Sequence, residues 1–186
     1  TTRYRYDEET FRLKQLRTTK TSPGDPLPSL PSNLLNENVL QNLYYTYDPV
    51  GNITEIRDDA YEPVFFRNQE VEPKSRYRYD SLYRLIAASG RENINAPATA
   101  PKAGKLAEML QKEFGSSEKA LRNYTQHYHY DSVGNIKQME HKAVAGSWTR
   151  HYDYFDDSNR LNKTWQGGDE DNAIFYHYDT HGSLLN

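Results

Sequence analysis

Tyr-x-Tyr-Asp recurs five times in this chain, at Tyr4 to Asp7, Tyr45 to Asp48, Tyr77 to Asp80, Tyr128 to Asp131 and Tyr176 to Asp179, and that recurrence limits what it can fold into. A strand puts residues i and i+2 on one face, so the two tyrosines of each copy point the same way and meet those of neighbouring strands. The intervening Arg5, Thr46, Arg78, His129 and His177 then face the other side. After the motif comes a turn. In Asp48-Pro49-Val50-Gly51 the Asp, Pro and Gly hold the first, second and fourth places that a type I turn favours. Asp131-Ser132-Val133-Gly134 and Asp179-Thr180-His181-Gly182 follow suit, with Gly51, Gly134 and Gly182 supplying the left-handed residue that closes such a hairpin. Return strands are expected from Ile53, Ile136 and Leu184. In the other copies Arg12-Leu13, Arg84-Leu85 and Arg160-Leu161 take that place, a basic stem over the sheet beside an apolar anchor.

A degenerate sixth copy reads Tyr154-Phe155-Asp156-Asp157, with Phe155 in the place of the second tyrosine and Asp156 in that of the aspartate. The second aromatic positions are then 6, 47, 79, 130, 155 and 178, with gaps of 41, 32, 51, 25 and 23 residues. A unit of roughly 20 to 25 residues with two short strands belongs to architectures that bury each unit against the next. The wider gaps read as insertions. One, 21–40, is proline-rich, with Pro23, Pro26, Pro28 and Pro31. The other, 95–126, sets Leu106, Met109, Leu110 and Phe114 at helical spacing, and Ser117 is placed to cap a second short helix through Asn123. The expected fold is all-β: one segment, 1–186, of stacked β-hairpins with a small helical insertion near 102–123.

Only 35% of the residues are apolar and mean hydropathy is -1.00, but Tyr occurs 16 times, so rings must supply much of the buried area. Aromatics at 13% also argue against disorder. The net charge of -3 suggests neither a nucleic-acid nor a membrane-surface partner. Lack of cysteine excludes disulfides and thiolate chemistry. Neither a signal peptide nor an apolar span is visible, and the chain begins and stops inside patterned segments, as a piece of a longer protein would. Open strand edges at such cuts favour self-association.

Catalytic chemistry finds little support. Asp58-Asp59, Asp156-Asp157 and Asp169-Glu170-Asp171 are acidic runs in polar stretches, without calcium-loop spacing. His127 and His129 share a strand face, with His141, His151, His177 or His181 as third ligands, yet no zinc set is completed. Arg3-Tyr4-Arg5-Tyr6 and Arg76-Tyr77-Arg78-Tyr79 interleave cations and rings as single-strand nucleic-acid grooves do, but both are copies of the repeat. Gly104-Lys105-Leu106 lacks the rest of a phosphate loop, and no nucleophile motif occurs. The expectation is a protein without enzymatic activity, metal or cofactor.

The repeat resembles the YD/RHS family of bacterial RHS toxins, toxin-complex proteins and animal teneurins. Two longer runs look like the B component of insecticidal toxin complexes: Tyr45 to Ala60 continuing through Val64-Phe65-Phe66-Arg67-Asn68-Gln69 and Val71-Glu72-Pro73, and Tyr77 to Glu92. The resemblance implies a β-sheet strip that spirals into a hollow shell around a cytotoxic C-terminal region of a secreted or cell-surface protein, with a pore-forming component as partner. The family's self-cleaving aspartate site is not matched, since Asn52 follows Asp48-Pro49-Val50-Gly51 where Leu is expected. Two readings compete: shell scaffold, or a carbohydrate- or protein-binding module of a surface adhesin. Continuous ladders of paired tyrosines favour the first; rings splayed into a cleft favour the second.

Overall fold

The computed structural model describes residues 1–20, 39–94, 120–144 and 146–185. Eleven strands form one antiparallel sheet: β1 (Thr2–Tyr6), β2 (Leu13–Thr19), β3 (Val39–Tyr47), β4 (Ile53–Asp58), β7 (Lys74–Tyr79), β8 (Leu85–Asn93), β9 (Leu121–Tyr130), β10 (Ile136–Ala143), β11 (Trp148–Tyr154), β12 (Leu161–Gln166) and β13 (Ile174–Phe175). Each pairs with the next of these in sequence. Between β4 and β7 a small hairpin, β5 (Val64–Phe66) and β6 (Gln69–Val71), leaves the sheet and folds back over it. Its turn sets Arg67 and Asn68 both at positive φ, the arrangement tight two-residue hairpins use. Among the described residues Val71 is the most deeply buried apolar one, and Asn123 Nδ2 ties the hairpin down by donating to the Glu70 carbonyl at 2.9 Å.

Because the strands alternate in direction, connections alternate between the two long edges. Every Tyr-Asp turn lies on one edge. The connections of 20–38, 59–73, 94–120, 144–147 and 167–173 depart from the other. The described part of the helical insertion departs from expectation: Leu121 to Gln126 belongs to strand β9, whose Tyr124 and Thr125 suit a pleated, half-buried surface. Likewise Val39 and Leu40, assigned to the proline-rich insertion, open β3. The helical positions from Leu106 to Phe114 lie outside the described residues.

The sheet is a single layer with little core of its own. Among the described residues the buried apolar ones are Val71, Ala87 and Ala88. The pairing register puts Tyr4, Leu16, Leu43, Tyr45, Ile56, Tyr77, Ala88, Tyr128, Met139 and Tyr152 on one face. The other face carries Arg5, Arg17, Tyr44, Arg57, Arg76, Arg78, His127, His129, Glu140 and His151. Toward the turn edge the first face is therefore aromatic and aliphatic, with Gln126, Arg150 and other polar groups farther from it, and the second face is polar with a cationic bias.

Candidate functional site

The repeated feature is the turn edge, built the same way from strand to strand. At the second tyrosine the register slips by one residue: Tyr6 pairs with Leu13, Tyr47 with Ile53, Tyr79 with Leu85, Tyr130 with Ile136 and Tyr154 with Leu161. The extra residues on the return strands, Lys14, Thr54, Ile86, Lys137 and Asn162, make five equivalent bulges, which increase local twist.

The ladder between adjacent hairpins stops short of this edge, and a phenol spans the gap. Tyr47 Oη donates to the Leu13 carbonyl at 2.8 Å, Tyr79 to Ile53 at 2.9 Å, Tyr130 to Leu85 at 2.7 Å, Tyr154 to Ile136 at 3.1 Å and Tyr178 to Leu161 at 3.0 Å. Each acceptor is the first residue of the previous return strand. Burial raises the pKa of Tyr47, Tyr79, Tyr130 and Tyr154, which keeps these hydroxyls protonated as donors.

This pattern corrects the sixth copy. Tyr154, not Phe155, makes the carbonyl bridge, so the copy is Tyr152-Asp153-Tyr154-Phe155 and Phe155 stands where the aspartate should be. Phe155 N donates to the Arg160 carbonyl as Asp80 N does to that of Arg84, across a turn one residue longer. Asp156 is thus an exposed loop residue with no turn-organising role. In this frame the second tyrosines at 130, 154 and 178 are evenly 24 residues apart.

The aspartates fold the turns. Asp48 Oδ1 accepts from the N–H groups of Gly51 and Asn52, both at 2.8 Å, and Oδ2 accepts from Asn52 Nδ2. Asp131 repeats this with Val133, Gly134 and Asn135, and Asp179 with His181 and Ser183. Asp80 takes the Leu82 and Arg84 N–H groups and Arg84 Nε, and Asp7 holds Thr10 and Lys14. Desolvation pushes the Asp48 and Asp131 carboxyls up, but their hydrogen bonds outweigh it and both end below the usual range. Asp80 is lowered chiefly by the Arg84 N–H, and Asp7 by Lys14. Gly51, Gly134 and Gly182 have φ of +108°, +101° and +85°, as the turn required. In the arginine turns Phe11 and Tyr83 take that left-handed place themselves, at φ of +56° and +62°.

First tyrosines form a row across the sheet. Tyr45 is raised by burial and by the neighbouring phenols Tyr47, Tyr4 and Tyr77; Tyr128 by burial and by Tyr124, Tyr130, Tyr152 and Tyr77. Tyr152, which sequence reading passes over, continues the row toward Tyr176. Tyr4 and Tyr6, on the edge strand, stay more than half exposed.

A second centre lies on the same face near the opposite edge, at the neck of the 94–120 connection. Arg122 Nε donates to Glu92 Oε1 at 2.7 Å, and His141 Nε2 approaches the same oxygen at 3.2 Å. Arg122 and His141 are each only 4% exposed, and the imidazole is stacked between Tyr124 and Trp148. Tyr128 Oη donates to Gln126 Oε1, which turns the Gln126 amide nitrogen toward His141 Nδ1 and leaves Nε2–H for Glu92.

The other chemical candidates do not converge. His127 faces Glu140 across the ladder and His129 Nε2 lies 3.3 Å from Glu140 Oε1, but no group of three metal-ligating side chains occurs among the described residues. Asp58 accepts the Asn42 and Ala60 N–H groups, Asp59 pairs with Arg57, and Glu170 in the short 3-10 turn pairs with Lys163. These carboxylates brace the backbone or pair with basic side chains.

Comparison with known proteins agrees with this architecture. No protein-family model matches the chain. Toxin subunit YenC1 of Yersinia entomophaga is 38% identical over 146 residues, 78% of this chain and 13% of the relative. Toxin subunit YenC2 of the same organism is 40% identical over 144 residues, 77% of this chain and 14% of the relative. Among solved structures, the TcdB2-TccC3-Cdc42 crystal structure superposes with a TM-score of 0.63 at 30% identity, over 98% of this chain and 9% of that chain. TcdB2-TccC3 without its hypervariable C-terminal region gives 0.62, also at 30%. The matched relatives are named as C subunits and the structures join TcdB2 to TccC3, so the common ground is the toxin-complex family and not one component of it. The chain, spanning a minor part of these relatives, belongs to the YD/RHS-repeat family of toxin-complex subunits.

Proposed function

We propose that this chain is a stretch of wall in a hollow RHS/YD shell that houses the cytotoxic C-terminal region of a secreted bacterial toxin complex, and that it has no catalytic role. The observation that supports this reading most is the continuous tyrosine row joined to the repeated phenol-to-carbonyl bridges. The rings are spent on holding strand to strand, which is the work of a wall. A recognition module would instead splay its aromatics around a cleft. The partners on this reading are the rest of the same shell, the enclosed cargo and a pore-forming component, and export from the cell follows from the role.

The test is protease protection of the C-terminal region in the full-length parent. Deleting residues 1–186 is expected to make a previously resistant C-terminal fragment cleavable. Unchanged resistance would overturn the wall reading and favour an adhesin module, to be followed by glycan and protein screening.

A further inference from the structure

The six turns fall into two classes that strictly alternate. The first, third and fifth end in arginine (Arg12, Arg84, Arg160); the second, fourth and sixth end in Gly51-Asn52, Gly134-Asn135 and Gly182-Ser183. The arginines all reach in one direction, onto the following turn. Arg12 donates to the Asp48 and Pro49 carbonyls at 3.0 and 3.1 Å and lies over the Tyr47 ring. Arg84 reaches the Asp131 carbonyl at 3.5 Å and lies over Tyr130 at 4.8 Å. Arg160 lies over Tyr178. The asparagines turn inward instead, Asn52 onto Asp48 and Asn135 onto Asp131, with one exposed amide contact from Asn135 to Asn159.

Ladder lengths follow the same alternation. The two junctions crossed by a carbonyl-bound arginine are long, five pairs from Gln15↔Tyr44 to Thr19↔Val39 and seven from Ala87↔His127 to Asn93↔Leu121. Junctions without one are short: three pairs between β4 and β7, four between β10 and β11. Beside β10 and β11 the turn edge is hollow, about 510 Å³ between Asp131 and Asp157. Arg160 makes no carbonyl bond to its neighbour, and its junction is the exception that fits: β12 and β13 share two pairs, and a hollow of about 370 Å³ lies alongside.

We infer that the mechanical unit of this strip is a clamped pair of hairpins, and that the β4–β7 and β10–β11 junctions are hinge lines between such units. An arginine clamp couples two hairpins through a charge-assisted bond to backbone and a ring contact, so they open together. At the hinge lines the ladder is short and no arginine reaches the next turn's carbonyls: the phenol bridge is joined by the exposed Arg76–Glu55 pair at β4–β7, and by the His141–Trp148 stack and the Asn135–Asn159 contact at β10–β11. There the sheet can change its curvature while the four-stranded plates β1–β4 and β7–β10 stay intact. In a stacked architecture, stability is the sum of unit and interface contributions, so unequal interfaces concentrate motion at the weaker ones. The inference goes beyond the wall reading, and its test does not involve cargo.

Residue-resolved amide hydrogen exchange on this chain decides it. Amides bonded across β4–β7 and β10–β11 are expected to exchange at least ~10-fold faster than those across β2–β3 and β8–β9, as sub-global opening requires. Arg84→Gln is expected to speed the β8–β9 amides toward the hinge rate while the β7–β8 amides farthest from the Asp80 turn, at Arg76 and Ser89, keep theirs. Equal rates across all four junctions would overturn the inference, as would β8–β9 amides indifferent to Arg84→Gln. Should that variant fail to fold, Arg12→Gln gives the same comparison at β2–β3.

Discussion

Replacing Tyr130 by Phe removes one hydroxyl and leaves the ring under Arg84, so it isolates the phenol bridge. The bond lost is a 2.7 Å donation to the Leu85 carbonyl in a partly buried setting where water can take the vacated place. Such a neutral hydrogen bond contributes a net ~1 kcal/mol. Tyr130→Ala also removes a half-buried ring and its cation contact, for a total of about 3 kcal/mol, the lower end for aromatic deletions because the site is not closed. The assay is urea denaturation followed by circular dichroism, reading the midpoint at constant slope. Tyr47→Phe, Tyr79→Phe and Tyr154→Phe are expected to cost the same ~1 kcal/mol. Tyr47→Phe with Tyr130→Phe should be additive at about 2 kcal/mol, since no partner is shared. Tyr83→Phe is the control, an exposed ring in a turn, expected to be neutral. Neutral Phe variants at Tyr47, Tyr79, Tyr130 and Tyr154 alike would refute the reasoning, because the hydroxyls would then be exchanging freely with water rather than holding strands together.

Acid should loosen the turn edge. Asp7, Asp48, Asp80 and Asp131 have folded pKa values below their unfolded ones, so their stabilisation is complete above the ordinary carboxylate range near 4. It is lost as pH falls through the lowered folded values, and Asp131→Asn should flatten the stability-against-pH curve in that window. Gly51→Ala and Gly134→Ala share the strain of positive φ, but the new methyl at 51 lies 3.2 Å from Arg12 Nη2 while that at 134 meets nothing within 4 Å. A larger midpoint loss for Gly51→Ala, by roughly 0.5–1 kcal/mol in the same urea assay, is expected from the displaced clamp. Glu92→Gln should cost about 3 kcal/mol in that assay, because it leaves the Arg122 charge buried without its carboxylate; a loss under about 1 kcal/mol would show that water or the substituted amide satisfies the guanidinium.

Much of the sheet can be read from the sequence because its rules are local. Tyrosine alternation, the turn aspartates and the glycines at positive φ each act within about ten residues, and the structure places Gly51, Gly134 and Gly182 as the turn chemistry demands. The sixth copy is easily misframed because Tyr152-Asp153-Tyr154-Phe155-Asp156-Asp157 offers two frames, and an aspartate after an aromatic is the more familiar one. Even spacing of 24 residues is the signal that separates them. A serine cap argues for helix through Leu121 to Asn123, but Tyr124, Thr125 and the cross-strand partners from Ala87 to Asn93 decide for strand. The Glu92, Arg122, His141 and Trp148 centre has no sequence signature, as its members come from four strands and meet only through register.

The segregation of turns to one long edge and longer connections to the other imposes a parity rule. Residues can be added to the connection edge without moving any Tyr-Asp turn, since the strand count is unchanged. One extra strand, by contrast, would carry every later turn to the opposite edge, away from the carbonyl its phenol must reach. The strip can therefore lengthen only by even numbers of strands, and the junction classes tighten this to steps of four if each arginine is to find a glycine turn beside it. Length variation among such chains should show two scales: arbitrary in the connections, and quantised in the sheet.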